Sequence, residues 1–191
     1  MDVGKTLYAP DRKRWRSWLS KNHKTAQDIW LIYFKKESGK KRIPYNDAVE
    51  EALCYGWIDS IVKPRDAESW VQRFTPRRKG SPLSELNKER VRRLIKAKKM
   101  TRYGLESIRH HMERKLSGKT ALKEFTLPKD ILRVLKSDPV VWRNFQGFSV
   151  SYKRIRIGWI DGVRRRPDVF QQRLRYFIKM TAQNKKFGMV R

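Results

Sequence analysis

Few side chains in this sequence are of a type that does chemistry, and their spacing limits what each could do. The single cysteine, Cys54, stands in the run AVEEALCYGWIDS, residues 48–60. A nucleophilic thiolate needs a base within reach and a lowered pKa. The histidines are His23, His110 and His111, and none has a spacing that sets a base beside Cys54. It follows Leu53 near the end of an apolar helical stripe, so a small buried core residue is the better reading. Asp59 in the same run is a carboxylate among apolar residues of a predicted strand. Arg73 on the next strand, or Arg77 in the loop after it, can supply its partner. A structural ion pair outweighs an acid–base role there. His110 and His111 are adjacent, so on a helix they point about 100° apart and share no ligand face. Without a second cysteine there is no zinc pattern either. The sequence therefore predicts no catalytic set, no metal site and no cofactor, and reads as a protein that is not an enzyme.

The stronger chemical signal is charge. Forty-seven Lys and Arg against 19 Asp and Glu leave a formal net charge of +28 over 191 residues. A compact body with that excess repels itself unless a polyanion neutralises it, and solubility needs far less. Nucleic acid fits, through release of the counterions on its phosphates. The basic residues fall in groups. Arg77, Arg78 and Lys79 lie in a Pro/Gly-rich loop, and Arg92, Arg93 and Lys96 on the outer side of a basic helix. Arg154 and Arg156 lie on a later helix, Arg164, Arg165 and Arg166 between two helices, and Lys185 and Lys186 near the end. Each group alone reads as a solvated face, and together they read as a polyanion surface. No helix-turn-helix, zinc finger or RNP-type aromatic motif is present, so sequence-specific DNA reading is unsupported. Backbone and shape recognition, as in structured RNA, remains.

These residues need a scaffold to hold them. Hydrophobic residues make up 39% of the chain, with seven Trp, seven Tyr and eight Phe, which is material for a packed core. Residues 1–10 read as an extended lead-in. Trp15, Trp18 and Leu19 at helical spacing predict a helix over 11–22. The apolar run DIWLIYF, 28–34, predicts a central strand buried on both faces. Pro44 fits the first turn of a helix whose inner stripe is Val49, Ala52, Leu53 and Gly56, with Glu50 and Glu51 outward. Strands follow at 57–62 and 69–74, antiparallel across the Lys63–Asp66 turn. A basic helix spans about 84–98, and Thr101 caps a short one holding Leu105, Ile108 and Met112. The pattern weakens over 113–126. Beyond it Pro128 and Pro139 start helices, Gly147 and Ser149 punctuate, and further helices follow to about residue 183. The predicted fold is α+β: a small antiparallel sheet with helices over 1–115, a linker at 116–126, and an all-helical region over 127–191. No stretch approaches the roughly 20 apolar residues of a spanning helix, and MDVGKTLYAP lacks an apolar signal core. With one cysteine, a cytoplasmic protein is expected.

Three strings carry a resemblance: ALCYGWIDS, FTPRRKGS and SELNKERVRRLIKAKKMTRYGL. Together they resemble the YdeI/OmpD-associated family, also called bacteriocin-protection proteins. The stretch DPVVWRNFQGFSVSYKRIRIGWI looks like that family's helical C-terminal region. The resemblance covers most of the chain, and Cys54, Gly56, Trp57, Ile58 and Asp59 match its most specific block. It implies an α+β N-terminal region, a helical C-terminal region and no known cofactor. The chain departs from the family where a Trp-Ser pair is replaced by Pro82-Leu83-Ser84, with Asn87 kept. It departs again at Gly162–Phe170, where a Thr and an Arg are lost and Arg173 remains. The charge is a third departure, and together they point to a member turned towards nucleic acid.

The leading expectation is a strongly basic RNA-binding protein, ribosomal or ribosome-associated. It would contact rRNA backbone through Lys and Arg, with neighbouring ribosomal proteins as partners and exposed aromatics stacking on bases. The alternative is a stress or bacteriocin-protection protein with a small-ligand pocket holding Trp57, Asp59 and Arg73, between the helix end at Gly56 and the Arg77 loop. A further alternative is non-specific DNA compaction, with equal binding to duplex DNA and RNA.

Overall fold

The computed structural model describes residues 2–109 and 126–188. Two compact units emerge, Met1–Pro82 with Arg90–Leu116, and Leu83–Glu89 with Ser117–Arg191. The expected linker at 116–126 lies outside the described residues except for Thr126, as do His110, His111 and Met112.

The first unit is a four-stranded sheet with helices. Its strands are β1 (Thr6–Tyr8), β2 (Ile29–Phe34), β3 (Trp57–Pro64) and β4 (Ser69–Pro76), in the spatial order β1-β2-β4-β3. The continuous apolar run of β2 is buried at its first five positions, as an interior strand covered on both faces requires. It pairs antiparallel with β4, Leu31 opposite Gln72. β3 pairs antiparallel with β4 and shifts register between Asp59 and Val62. The lead-in does more than expected: Thr6–Tyr8 pairs parallel with β2, Leu7 opposite Leu31.

Helix α1 (Arg12–Asn22) connects that parallel pair. Asp11 starts it by accepting a bond from the Arg14 N–H, which satisfies one of the unpaired donors of the first turn. Trp15 and Leu19, one turn apart, are buried, and the Trp15 indole N–H donates to the Ala48 carbonyl at 3.0 Å. Helix α2 (Tyr45–Cys54) is buried without interruption from Ala48 to Cys54. Glu50 and Glu51 are therefore inside, 6% and 3% exposed, not outward as their place opposite the apolar stripe implied. Arginines meet them. Glu51 pairs with Arg12 and Arg16 at 2.7 Å each, and Glu50 with Arg12 at 3.3 Å and Arg93 at 3.0 Å. A carboxylate survives burial when it is paired and hydrogen-bonded in this way.

Helix α3 (Glu85–Lys96) follows, then α4 (Arg102–Ser107). Thr101 caps α4, accepting from the Gly104 N–H while its own hydroxyl donates to the Cys54 carbonyl at 2.6 Å. A Cβ on Gly104 would stand 2.2 Å from that carbonyl oxygen, so only glycine lets α4 close on the end of α2.

The second unit holds α5 (Lys129–Lys136), α6 (Pro139–Gly147), α7 (Val150–Asp161) and α8 (Pro167–Ala182). Asp138 and Ser149 cap α6 and α7, and Pro139 and Pro167 occupy first turns, where a missing N–H costs nothing. Ile131, Leu135, Val141, Phe145, Ile160, Leu174 and Phe177 form the core of this unit. The fold is α+β as expected, with sheet and helices in the N-terminal part and, among the described residues, helices alone in the C-terminal part. Among the described residues, no helix is long and apolar enough to cross a membrane.

Candidate functional site

A cleft of about 1070 Å³ opens in the first unit, where four chain segments end close together. The end of α1 supplies His23 and Lys24, and the turn from α2 into β3 supplies Tyr55, Gly56 and Trp57. The loop after β4 supplies Arg77, Lys79 and Gly80, and α4 with the residues after it supplies Tyr103, Glu106, Ser107 and Arg109.

Backbone chemistry fixes this meeting point. Gly56 turns the chain at φ +75°, and a Cβ there would lie 3.0 Å from Ser107 Cβ. Its carbonyl accepts from the Arg77 N–H at 2.8 Å. The Trp57 indole N–H donates to the His23 carbonyl at 3.1 Å. The His23 Nδ1 lies 2.8 Å from the Leu19 carbonyl; a carbonyl only accepts, so the Nδ1 carries hydrogen. The His23 ring packs on Tyr55 and Tyr103, with centroids 5.1 and 4.6 Å away.

The wall is aromatic and positive. Among the described residues, Lys24, Arg77, Lys79 and Arg109 face it against one acid, Glu106, which pairs with Arg109 at 2.8 Å. The Lys24 ammonium lies 4.7 Å from the Tyr103 ring centroid, a cation–π distance. Lys24 and Lys79 have no carboxylate partner among the described residues. Arg77 is turned back on its own loop, donating from Nη2 to the Ser81 carbonyl, the Ser81 hydroxyl and the Pro82 carbonyl. Burial lowers its pKa, and bracing the loop is its visible role.

No nucleophile is primed here. Cys54 is not part of the cleft wall; burial first, and Glu51 second, push its thiol up to about 11, so the thiolate is suppressed. Ser107 donates its hydroxyl hydrogen to the Gly104 carbonyl at 2.8 Å. Among the described residues, no cluster of His, Cys, Asp and Glu is able to hold a metal.

Of the three residues expected to share a pocket, the structure brings only Trp57 to the cleft. Asp59 accepts from the Tyr45 hydroxyl at 2.7 Å, and Arg73 pairs with Asp28 at 2.7 Å. The reason is strand parity: Asp59 is directly opposite Phe74, so Arg73, one residue along, points to the other face. The Asp59–Arg73 pairing is thus corrected. The spatial gathering of His23, Lys24, Tyr55, Tyr103 and Arg109 had escaped sequence reasoning. Their signals were the end of the first helix and the Thr101 cap, neither of which says what lies across from it.

The basic groups also differ from the surface expected. Arg78 and Lys79 are exposed, as are Lys96, Arg165, Arg166, Lys185 and Lys186, while Arg92 and Arg154 are half-buried. Arg93 is engaged by Glu50. Arg164 takes Asp130 with two bonds of 2.9 Å and also meets Asp161. Arg156 is buried.

Two families match the chain. Residues 7–107 match a domain of unknown function (DUF8412), and residues 124–184 match the family described as bacteriocin-protection, YdeI or OmpD-associated. No curated protein and no solved structure matches it. The resemblance to the YdeI/OmpD-associated family thus holds in the C-terminal region, while the ALCYGWIDS block falls within the other match. The expectation of an RNA-binding, rRNA-binding, ribosomal or ribosome-associated protein is overturned, because the C-terminal match is to a bacteriocin-protection family and not to a ribosomal one. Through residues 7–107, over half of its length, the chain belongs to the DUF8412 family, and its residues 124–184 are similar to the family described as bacteriocin-protection, YdeI or OmpD-associated.

Proposed function

We propose that the N-terminal unit is a binding module for a small organic anion carrying an aromatic ring. The protein would act through binding, not catalysis, in a protective role of the kind the C-terminal family's name describes. One observation carries the reading: a cleft of about 1070 Å³ lined, among the described residues, by His23, Tyr55, Trp57 and Tyr103 and by four cations against one acid. Small-molecule sites have this form, a largely preformed concavity of roughly 300–1,000 Å³ with apolar walls and a few convergent polar groups. Aromatic faces take up a ring, and Lys24 and Lys79 neutralise its charge. The raised Cys54 thiol and the engaged Ser107 hydroxyl favour a binder over an enzyme.

Anilinonaphthalene sulfonate, an aromatic anion that brightens on leaving water, is the probe. Titration is expected to show a single saturable site, weakened at least tenfold by Lys79→Glu and by Tyr103→Ala. Equal binding to the wild type and to both variants would overturn the assignment.

A further inference from the structure

Arg156 sits in the middle of α7 and is 6% exposed. Its guanidinium carries five N–H donors. Among the described residues it makes no hydrogen bond and no ion pair, and its Nε is fully enclosed without an acceptor. Another buried arginine, Arg90, by contrast donates to the Asn46 side chain.

What surrounds the Arg156 head group is aromatic. The centroids of Phe187, Tyr152 and Trp159 lie 4.7, 5.6 and 5.7 Å from it. Ring faces attract the cation, but they do not accept the N–H bonds that lie in the guanidinium plane. Leaving the enclosed Nε donor unmet is costly. Two acids of the same unit, Asp161 and Asp130, are taken by Arg164. A second cation, Arg173, lies 4.6 Å from the Trp159 ring and donates to the Trp159 carbonyl.

A roof closes this position. After α8 the chain returns over α7, with the Phe187 N–H donating to the Tyr152 hydroxyl at 3.3 Å. The Phe187 ring packs on Tyr176, Trp159 and Phe177 at 4.8, 5.7 and 6.3 Å. Gly188 follows at φ +77°, and a Cβ there would stand 2.8 Å from Nη1 and 2.9 Å from Nη2 of Arg156. The backbone therefore passes directly against the Nη1–Nη2 edge of the guanidinium.

We propose that Arg156 anchors an oxyanion site in the C-terminal unit, roofed by residues 184–188, which takes a carboxylate or phosphate group in the guanidinium plane. Planar two-point pairing is what a guanidinium offers these groups. The bound anion supplies the acceptors that the aromatic walls lack. Entry requires the Phe187 anchor to lift, and the exposed Lys185 and Lys186 on the same segment draw anions to it. The site is independent of the cleft in the first unit.

The test compares sodium phosphate, sodium acetate and sodium chloride at equal ionic strength, using the whole chain. Phosphate or acetate is expected to raise the wild-type Tm by a few degrees in a saturable manner, and to shift the Arg156 Nε–H resonance. A response to phosphate alone identifies a phosphate ligand, and a response to acetate alone a carboxylate. Arg156→Met, which keeps the volume, is expected to lose the Tm response. An equal response in Arg156→Met overturns the proposal, as does a wild-type Nε–H resonance that stays put at the highest anion concentration. The resonance decides the matter without any variant, should Arg156→Met fail to fold.

Discussion

The carbonyl of Gly56 accepts the backbone N–H of Arg77 at 2.8 Å, so the turn that ends α2 and the loop that leaves β4 are joined directly. Trp57 and the basic loop thereby flank one cleft. The joint depends on a residue with no side chain, because Gly56 has φ +75° and faces Ser107 Cβ at 3.0 Å from where its own Cβ would be.

Gly56→Ala is therefore expected to cost about 2 kcal/mol, from a left-handed backbone and a tight contact together. Urea unfolding measures the loss, and dye binding in the cleft should weaken with it. An unchanged midpoint would show that the turn relaxes freely.

Glu51 lies buried between Arg12 and Arg16. Glu51→Gln is expected to destabilise by about 2 kcal/mol, on the low side for breaking a buried pair because Arg12 keeps Asp47 and Glu50. Arg164→Ala, which breaks exposed pairs, is expected to cost less than about 1 kcal/mol. Equal losses in the two variants would contradict this ranking.

Cys54 offers a pH signature. Burial raises its thiol from 9.0 to about 11 in the folded chain, so between those values the unfolded chain loses the proton first. The folded state then binds more protons, and stability falls as pH rises through that window. Below pH 9 the contribution is fully present. Cys54→Ala should flatten the stability slope between pH 9 and 11, and iodoacetamide at pH 8 should label the wild type only once it is unfolded. Rapid labelling of the native protein would show an accessible thiolate instead.

Tyr45→Phe separates the Asp59 neighbourhood from the cleft. It removes the 2.7 Å bond to Asp59 and is expected to cost about 1–2 kcal/mol. Because neither residue is part of the cleft wall, dye affinity should stay within twofold of the wild type.

Local chemistry made much of the fold legible. Asp11, Thr101 and Ser149 cap helices because a short polar side chain reaches its own first turn, and the β2 run declared a strand covered on both faces. The burial of Glu50 and Glu51 was not legible, since Arg12 stands 39 positions before Glu51 and Arg93 stands 43 after Glu50. β1, with only three residues, is too short to show a period. Asp59 and Arg73 were matched because they lie on successive strands, but strand parity separates them. The net charge of +28 counts cations without saying which are already engaged, and Arg93 and Arg164 show how much that omits.

The register shift in β3 has a bearing on how copies of this chain treat one another. β3 is an outer strand of the sheet, and Ile61 and Val62 on it are 42% and 56% exposed. A straight outer strand with such side chains would invite a neighbour's strand to zip alongside it, and crowded chains would grow into fibres. The irregularity between Asp59 and Val62 bends the row of backbone donors and acceptors out of line, and Lys63 and Pro64 finish it with a charge and a missing N–H. The same kink that unsettles the ladder thus works against edge-to-edge pairing of two copies.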